Sequence, residues 1–349
     1  MRRKGPLVVE FVESEGAGVR RRDSRNSNLE VQPCKIHRKS TKESSRGTKL
    51  YCASSARPAE RARRRAAVAT TPAAPAASSM GEASGASCPV PVVDLSDFLR
   101  GDEQQRARVA AEWDAAMCSV GMAYIIGHGC PPEVIQSLHD LAVRFFTASH
   151  ESKMRYCLNK GYGAGGYVPQ GVEAVARSTG DGGAPPDLVE NFVFSHRGDP
   201  GLESVPVPAE PPQFQGAVEG YWDAMVALLH ALMRLSATAL SLPADHFERC
   251  FAQPVTHLRL GYYAAIPPAM PEAEAAAEGA MRYGAHTDYT GFTILRQDPS
   301  VGGLEAQTAD GSWHGVPPRA GALLVNAGDL IQVWLGSGLL TLPLPYPYP

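Results

Sequence analysis

Apolar residues recur every three or four positions in three long segments, which predicts three amphipathic helices. The first spans about residues 103–120, the second begins at Pro131, and the third spans about residues 214–241. Two short apolar runs, residues 89–95 and 122–126, favour strands that lie between or before these helices. Helices therefore dominate the front half of the chain.

One stretch places an imidazole and a carboxylate two positions apart, at His286 and Asp288, among residues that favour strands. Residues i and i+2 of a strand point to the same face, so the two side chains can aim at one point. One His and one carboxylate form two thirds of the 2-His-1-carboxylate triad, which holds Fe(II) and leaves coordination positions open. A His-x-Asp pair also arises by chance, and the pattern alone leaves a purely structural role open.

Basic and acidic residues are divided unevenly along the chain. Residues 1–79 contain 18 Lys and Arg against 7 Asp and Glu, whereas residues 80–349 contain 15 and 29. An acidic body argues against nucleic acid as a ligand, because phosphate binding depends on clustered cations. Seven scattered cysteines without a CxxC pair indicate reduced thiols and a cytoplasmic protein. No apolar run is long enough to span a bilayer, so we expect no membrane partner, and we expect a monomer.

Residues 1–87 are rich in Arg, Ser and Ala without sustained periodicity, and we expect this extension to be disordered. Three interpretations of it remain. It is a plastid or mitochondrial transit peptide, although seven acidic residues are many for one. It carries a nucleic-acid patch around residues 61–65. Or it is not translated, and translation starts at Met80, directly before the first patterned segment.

Several short motifs follow one another in a recognisable order. In the front half they are residues 90–95, 121–129, 145–153, 165–169 and 187–194; in the back half they are 258–263, 284–288, 293–298, 303–307, Trp313 and 326–329. This order resembles the isopenicillin N synthase-like Fe(II)/2-oxoglutarate-dependent dioxygenases, over roughly residues 88–334. The resemblance implies an α+β fold, in which a helical N-terminal region (88–250) packs on a double-stranded β-helix, or jelly roll (251–334), that is incomplete at its C-terminus.

The same resemblance implies the chemistry. His286 and Asp288 match the metal ligands for Fe(II), and Tyr263 matches a tyrosine that contacts the co-substrate 2-oxoglutarate in many members. Such an enzyme uses O2 to oxidise a small-molecule substrate and releases succinate and CO2. We therefore expect an oxidoreductase with Fe(II) as its cofactor.

The chain departs from the family pattern after residue 334. The family supplies a third ligand, a His, and then an Arg-x-Ser pair whose Arg binds the distal carboxylate of 2-oxoglutarate. Residues 335–349 are instead a Pro-rich tail without His or Arg, which favours extended polyproline rather than a folded strand. His314 and Arg319 lie in predicted turns and are poor replacements. We expect unpaired strand edges, weakened metal binding and an impaired enzyme, or alternatively a catalytically inactive truncated isoform or gene-model product.

Overall fold

Helices and strands alternate along the front half, and strands predominate in the back half. In a computed structural model of the chain, the described residues are 7–14, 90–158, 165–178, 183, 186–194, 207–247, 255–264, 282–288, 291–308, 312–331 and 344–346. The helices are α1 (Ser96–Arg100), α2 (Glu103–Ser119), α3 (Pro132–Phe146), α4 (His150–Met154), α5 (Val175–Ser178) and α6 (Phe214–Ala239). The strands are β1 (Leu7–Ser14), β2 (Val92–Asp94), β3 (Met122–Ile126), β4 (Gly166–Val168), β5 (Glu190–Phe194), β6 (Val255–Tyr262), β7 (Tyr283–His286), β8 (Phe292–Arg296), β9 (Glu305–Gln307), β10 (Trp313–Gly315), β11 (Leu323–Ala327) and β12 (Leu344–Tyr346).

The three predicted helices are confirmed, and local chemistry sets where two of them begin. Asp102 caps α2: its carboxylate accepts a hydrogen bond from the Gln105 backbone N–H, and the Gln105 side chain accepts one from the Asp102 N–H, both at 2.8 Å. This reciprocal arrangement satisfies two donors that a helix start otherwise leaves unpaired. Pro132 occupies the first turn of α3, where its missing N–H removes no hydrogen bond.

Eight strands form one mixed sheet in the order β2-β3-β11-β8-β1-β6-β5-β4. Every neighbouring pair is antiparallel except β2 and β3, which run parallel. Two smaller sheets pair β9 with β10 and β7 with β12. The sheet draws strands from the predicted helical region, 88–250, as well as from the predicted jelly-roll region, 251–334.

The two faces of the large sheet have different partners. Alternate residues, such as Phe11, Leu260 and Val325, pack with α2, α3 and α6 in a helix-facing core. The intervening residues, such as Val8 and Leu324, pack with Tyr283 of β7 and Ala306 of β9 in an inner core. The second face therefore lines the interior of the jelly roll, and this interior contains the candidate site.

Leu7–Ser14 contradicts the predicted disorder of residues 1–87. This segment forms β1, which lies between β6 and β8 in the middle of the large sheet. Successive side chains of β1 lie on opposite faces of the sheet. Leu7, Val9 and Phe11 are buried in the helix-facing core, and Val8 is buried in the inner core. The rest of the predicted extension up to residue 87 lies outside the described residues.

Leu344–Tyr346 likewise contradicts the expectation that residues 335–349 form no strand. These residues pair with β7, and Leu344 lies opposite His286. Proline is tolerated in an edge strand where its position needs no backbone donor, and the register shifts between Leu344 and Tyr346, around Pro345. Together with β1, this strand covers edges that we expected to be unpaired. The other residues of the tail lie outside the described residues.

Among the helices that the structure describes, none combines the length and the apolar character needed to cross a lipid bilayer. The longest, α6, instead buries one face against α2 and α3. Two of its side chains form hydrogen bonds across the core: Ser236 Oγ accepts from Trp113 Nε1 of α2 at 3.0 Å, and Trp222 Nε1 donates to Thr256 Oγ1 of β6 at 3.1 Å.

The close packing of α6 predicts that shortening one of its buried side chains destabilises the protein. Leu232 is fully buried, so Leu232→Ala should lower the free energy of unfolding by about 2–5 kcal/mol. Val172 is 66% exposed, and Val172→Ala should change it by less than about 0.5 kcal/mol. Urea unfolding of both variants measures the difference, and equal effects would contradict this description of the core.

Candidate active site

His286 and Asp288 converge in the interior of the jelly roll. His286 is the last residue of β7, Asp288 follows two positions later, and His286 Nε2 lies 3.5 Å from Asp288 Oδ1. Nitrogen and oxygen ligands lie about 2.0–2.2 Å from an ion such as Zn²⁺, so neighbouring donor atoms on one ion are roughly 3–3.5 Å apart. The geometry is therefore compatible with both side chains binding one divalent metal ion, the role that the sequence predicted for them.

A backbone carbonyl fixes the orientation of the imidazole. His286 Nδ1 lies 2.9 Å from the carbonyl oxygen of Gly284. A carbonyl oxygen only accepts hydrogen bonds, so Nδ1 carries a proton and donates it. The neutral ring therefore keeps its lone pair on Nε2, the atom that faces Asp288. This second hydrogen bond is the usual way in which proteins orient a metal-binding histidine.

Two side chains hold the carboxylate of Asp288. Thr293 Oγ1 of β8 donates to Asp288 Oδ2 at 2.6 Å, and Asn326 Nδ2 of β11 donates to the same oxygen at 2.7 Å. Thr293 and Asn326 lie directly opposite each other on neighbouring strands, so both side chains emerge from the inner face at one place. Their bonds occupy Oδ2 and leave Oδ1 facing His286.

Backbone hydrogen bonds hold Asp288 and Gly291 beside the residues that follow β11. The Asp329 N–H donates to the carbonyl of Asp288 at 2.7 Å, and the Gly328 N–H donates to the carbonyl of Gly291, also at 2.7 Å. Asn326 and Asp329 are the two ends of a motif that marked the resemblance to the dioxygenase family. No role for Asn326 or Thr293 could be predicted from the sequence, because the contact of each with Asp288 depends on the pairing of β8 with β11.

Charge and burial shift the pKa values of His286 and Asp288 in opposite directions. Burial alone would lower the pKa of His286, but the hydrogen bond and the negative charge of Asp288 outweigh it and raise that pKa. Burial alone would raise the pKa of Asp288, but the charge of His286 and the bonds from Thr293 and Asn326 outweigh it and lower that pKa. Asp288 consequently stays ionised, which is the form that binds a metal.

A second group of charges lies beside the pair. Arg259 of β6 donates through Nη1 to Tyr283 Oη at 2.5 Å and through Nη2 to Glu173 Oε2, and its Nε lies 3.9 Å from Glu10 Oε2 of β1. Asn191 Nδ2 of β5 also donates to Glu173 Oε2, at 2.8 Å. Burial raises the pKa values of Glu10 and Glu173, while Arg259 opposes this shift.

Asp187 connects this charged group to the strand that carries His286. Its carboxylate accepts from the Gly284 N–H at 3.0 Å and from the Val175 N–H at 2.8 Å. Burial nevertheless raises its pKa above the ordinary range. No role was predicted from the sequence for these charged residues, because their contacts join segments far apart in the chain; they are Glu10, Glu173, Asp187 and Arg259.

The remaining residues that the sequence analysis considered lie on or next to other strands. Tyr263 directly follows β6 and is buried in the inner core with Tyr283, and the Arg282 guanidinium carbon lies 5.8 Å from the centre of its ring. His314 lies on β10, and Arg319 precedes β11. Within the described ranges, no cluster of three or more His, Cys, Asp or Glu side chains is placed to hold a metal ion.

Comparison with known proteins identifies the class. Residues 90–213 match the family described as non-haem dioxygenase in morphine synthesis N-terminal, and residues 254–341 match the 2OG-Fe(II) oxygenase superfamily. Validamycin A dioxygenase of Streptomyces hygroscopicus subsp. limoneus is 32% identical over 256 residues, which cover 70% of this chain and 68% of that relative. The chain belongs to the 2-oxoglutarate- and Fe(II)-dependent oxygenases.

Solved structures of such oxygenases share its fold. A 2OG-Fe(II) oxygenase family protein from Caulobacter crescentus aligns with a TM-score of 0.62 and 27% identity, over 76% of this chain and 81% of that one. JOX2 in complex with 2OG, Fe and JA aligns with a TM-score of 0.60 and 26% identity, over 73% of this chain and 69% of that one. The oxygenase is therefore an oxidoreductase whose cofactor is Fe(II) and whose co-substrates are 2-oxoglutarate and O2.

Asn326 tests how the oxygenase holds Asp288. Asn326→Ala removes one of two donors to Oδ2, so Asp288 should rotate more freely and bind metal less well. We expect a loss of about 10–100-fold in affinity for Mn(II), an oxygen-stable substitute for Fe(II). Gln215→Ala, an amide removed from the exposed side of α6, is the control. An unchanged affinity in Asn326→Ala, measured by EPR titration, would show that this contact is dispensable.

Metal binding should also depend on pH. Binding of a metal ion by His286 would require that Nε2 loses its proton, and the raised pKa keeps that proton in place to a higher pH than in a free histidine. Affinity for Mn(II) should rise about tenfold per pH unit below this pKa and level off above it. His314→Ala should show the same profile. A flat profile between about pH 5.5 and about pH 8.5 would contradict the assignment.

Proposed function

We propose that His286 and Asp288 are protein ligands of Fe(II) in this oxygenase. The observation that carries the proposal is their convergence: Nε2 and Oδ1 are the donor atoms left available on each side chain, and they lie 3.5 Å apart. Every other polar atom of the pair is already engaged, Nδ1 by Gly284 and Oδ2 by Thr293 and Asn326. Two preoriented donor atoms suit a divalent cation, and imidazole with carboxylate suits Fe(II).

The surrounding residues orient the reactants and exclude water. Tyr263, at the end of β6, would contact 2-oxoglutarate, and the inner core around it would keep solvent from that side of the site. Arg259, Tyr283 and Glu173 form a rigid polar wall beside His286 because each is bonded to another member of the wall. Bound Fe(II) would supply the oxidising chemistry, in which one atom of O2 enters succinate as 2-oxoglutarate loses CO2 and the other serves to oxidise the substrate.

The substrate that we propose is a small molecule. Validamycin A dioxygenase is named for a small molecule, and JOX2 was solved with the ligand JA. The acidic balance of residues 80–349 supports this class over nucleic acid, because a polyanion would be repelled by most of the body of the protein. We also propose that the oxygenase acts as a monomer.

We further propose that turnover by these 349 residues is impaired. His286 and Asp288 would supply two protein ligands, and within the described part of the chain no third His, Cys, Asp or Glu joins them. Arg259, the guanidinium bonded into the polar wall, is already paired with Glu173 and lies near Glu10, so its charge is largely neutralised before any dicarboxylate arrives.

Chemical rescue tests both halves of this proposal. Free imidazole can enter a position that a protein histidine does not fill, so added imidazole should raise 2-oxoglutarate-dependent succinate release by the purified protein. His286→Ala and Asp288→Ala together should lower release to the level of the iron-only blank, a loss of roughly 100-fold or more, with no rescue. High release without imidazole would overturn the proposed impairment. Equal affinity of the double variant and the unchanged protein for Mn(II) would overturn the ligand assignment.

A second candidate function is a catalytically inactive protein of the same fold. The pairing of Arg259 with Glu173 favours it, because a charge-assisted hydrogen bond to the distal carboxylate of 2-oxoglutarate needs a cation that no other carboxylate already occupies. Isothermal titration with 2-oxoglutarate in the presence of Mn(II) separates the candidates. An impaired enzyme still binds the keto acid through the metal, whereas no heat at millimolar concentrations favours the inactive protein.

A further inference from the structure

β1 comes from a part of the chain remote from the strands that it joins. Residues 15–91 separate it from β2, yet it lies in the middle of the large sheet. Leu7–Ser14 is in register with β6 over its whole length, from Leu7 opposite Tyr262 to Ser14 opposite Val255. On its other edge, Val9–Val12 pairs with Thr293–Arg296 of β8. Without β1, β6 and β8 would face each other across a gap one strand wide.

Side chains on both faces of β1 fit this gap. Leu7, Val9 and Phe11 are at most 1% exposed in the helix-facing core, and the ring of Phe11 lies edge-on to Trp222, with 5.9 Å between the ring centres. On the opposite face, Val8 packs in the inner core. A shift of one residue would exchange these faces and place Glu10 among the helices, so the register is strongly specified.

Glu10 provides a charged contact at the centre of the strand. It lies directly opposite Arg259 in the register, and its Oε2 is 3.9 Å from Arg259 Nε. The carboxylate is also near enough to the candidate site for the charges of His286 and Asp288 to act on it. β1 therefore places the Glu10 side chain beside Arg259 of the polar wall. β1 also lies next to β8, which carries Thr293.

We propose that the gap between β6 and β8 is a strand-binding groove, and that its ligand is the N-terminal segment Leu7–Ser14 of the same chain. The segment binds by strand addition, with main-chain pairing on both edges and alternate side chains in pockets on both faces. Filling the groove joins Arg259 of β6 and Thr293 of β8 in one sheet. The proposal concerns the groove itself and does not depend on the proposed oxidation chemistry.

Attachment to the same chain favours this occupant. Binding of a tethered segment is an intramolecular event, which a free peptide can match only at the corresponding effective concentration. The residues between β1 and β2 are numerous enough to span any distance within one domain. A second copy of the chain could offer the same segment, and exchange of labelled fragments between copies distinguishes that case.

The first experiment cuts the connection after folding. A recognition sequence for a specific protease is inserted between residues 40 and 50 of the full chain, and the purified protein is cleaved. We expect the N-terminal fragment to co-elute with the remainder in gel filtration at monomer mass and to separate only in urea. Phe11→Asp should release the fragment, whereas Val172→Asp, the same change at an exposed position, should not.

A second experiment keeps the folded protein unchanged, in case Phe11→Asp prevents folding. A synthetic peptide of residues 7–14 is added in excess to the cleaved protein. It should displace the labelled fragment, and a peptide with Phe11→Asp should do so at least about tenfold less well, as should one with Glu10→Lys, which brings a second cation to Arg259. A Glu219→Lys variant of the protein, changed on the exposed side of α6, should bind the normal peptide unchanged.

Three outcomes would overturn the proposal. The fragment leaves immediately after cleavage while the thermal midpoint of the remainder stays the same, so the groove needs no ligand. The normal and altered peptides compete equally, so recognition does not follow the register. Or cleaved and uncleaved protein elute at twice the monomer mass and exchange labelled fragments between copies, so the ligand comes from a second copy. None of these readouts requires iron or turnover.

Discussion

A buried carboxylate must be surrounded by donors, and in this protein that requirement arranges the site. Asp288 is ionised inside the jelly roll, and an ionised group there is strongly unfavourable unless hydrogen bonds and opposite charge replace the lost water. The replacements come from three places: His286 at the end of β7, Thr293 on β8 and Asn326 on β11. The need to satisfy one carboxylate thus ties together the strands that form the floor of the site.

The division of the large sheet into two faces makes this arrangement compatible with a stable core. One face is apolar and covered by helices, so burial of side chains such as Phe11, Leu260 and Val325 supplies the stability. The other face carries the polar residues of the site between apolar neighbours of the inner core. Because successive residues alternate between faces, β6 buries Leu258 and Leu260 against the helices while it directs Arg259 inward.

Much of this architecture was predictable from the sequence. α2, α3 and α6 show apolar residues at helical spacing over several turns, and the His-x-Asp pair can be read without any alignment. The partners of Asp288 could not be predicted, because Thr293 and Asn326 meet only through strand pairing across more than thirty residues of chain. The contacts of Arg259 with Glu10 and Glu173 could not be predicted for the same reason, because they join residues that are still farther apart in the chain.

β1 and β12 were missed for different reasons. Leu7–Ser14 carries apolar residues on both faces of the strand, but the Arg, Ser and Ala content of the surrounding residues outweighed eight positions of pattern. Leu344–Tyr346 contains proline, which usually argues against a strand, yet an edge beside β7 tolerates it. Composition over a long window is a weak guide to short segments whose order comes from the sheet that they join.

The central position of β1 has a consequence for folding during synthesis. Leu7–Ser14 leaves the ribosome before its partners β6 and β8, which are made about 250 and 285 residues later. Contacts between segments so far apart form slowly, because the chain loses entropy when the long loop closes, before strand pairing stabilises the closed loop. Until β8 has been made, the apolar segment Leu7–Ser14 lacks its partner strands. Chaperones would then be needed to prevent this segment from pairing with another chain.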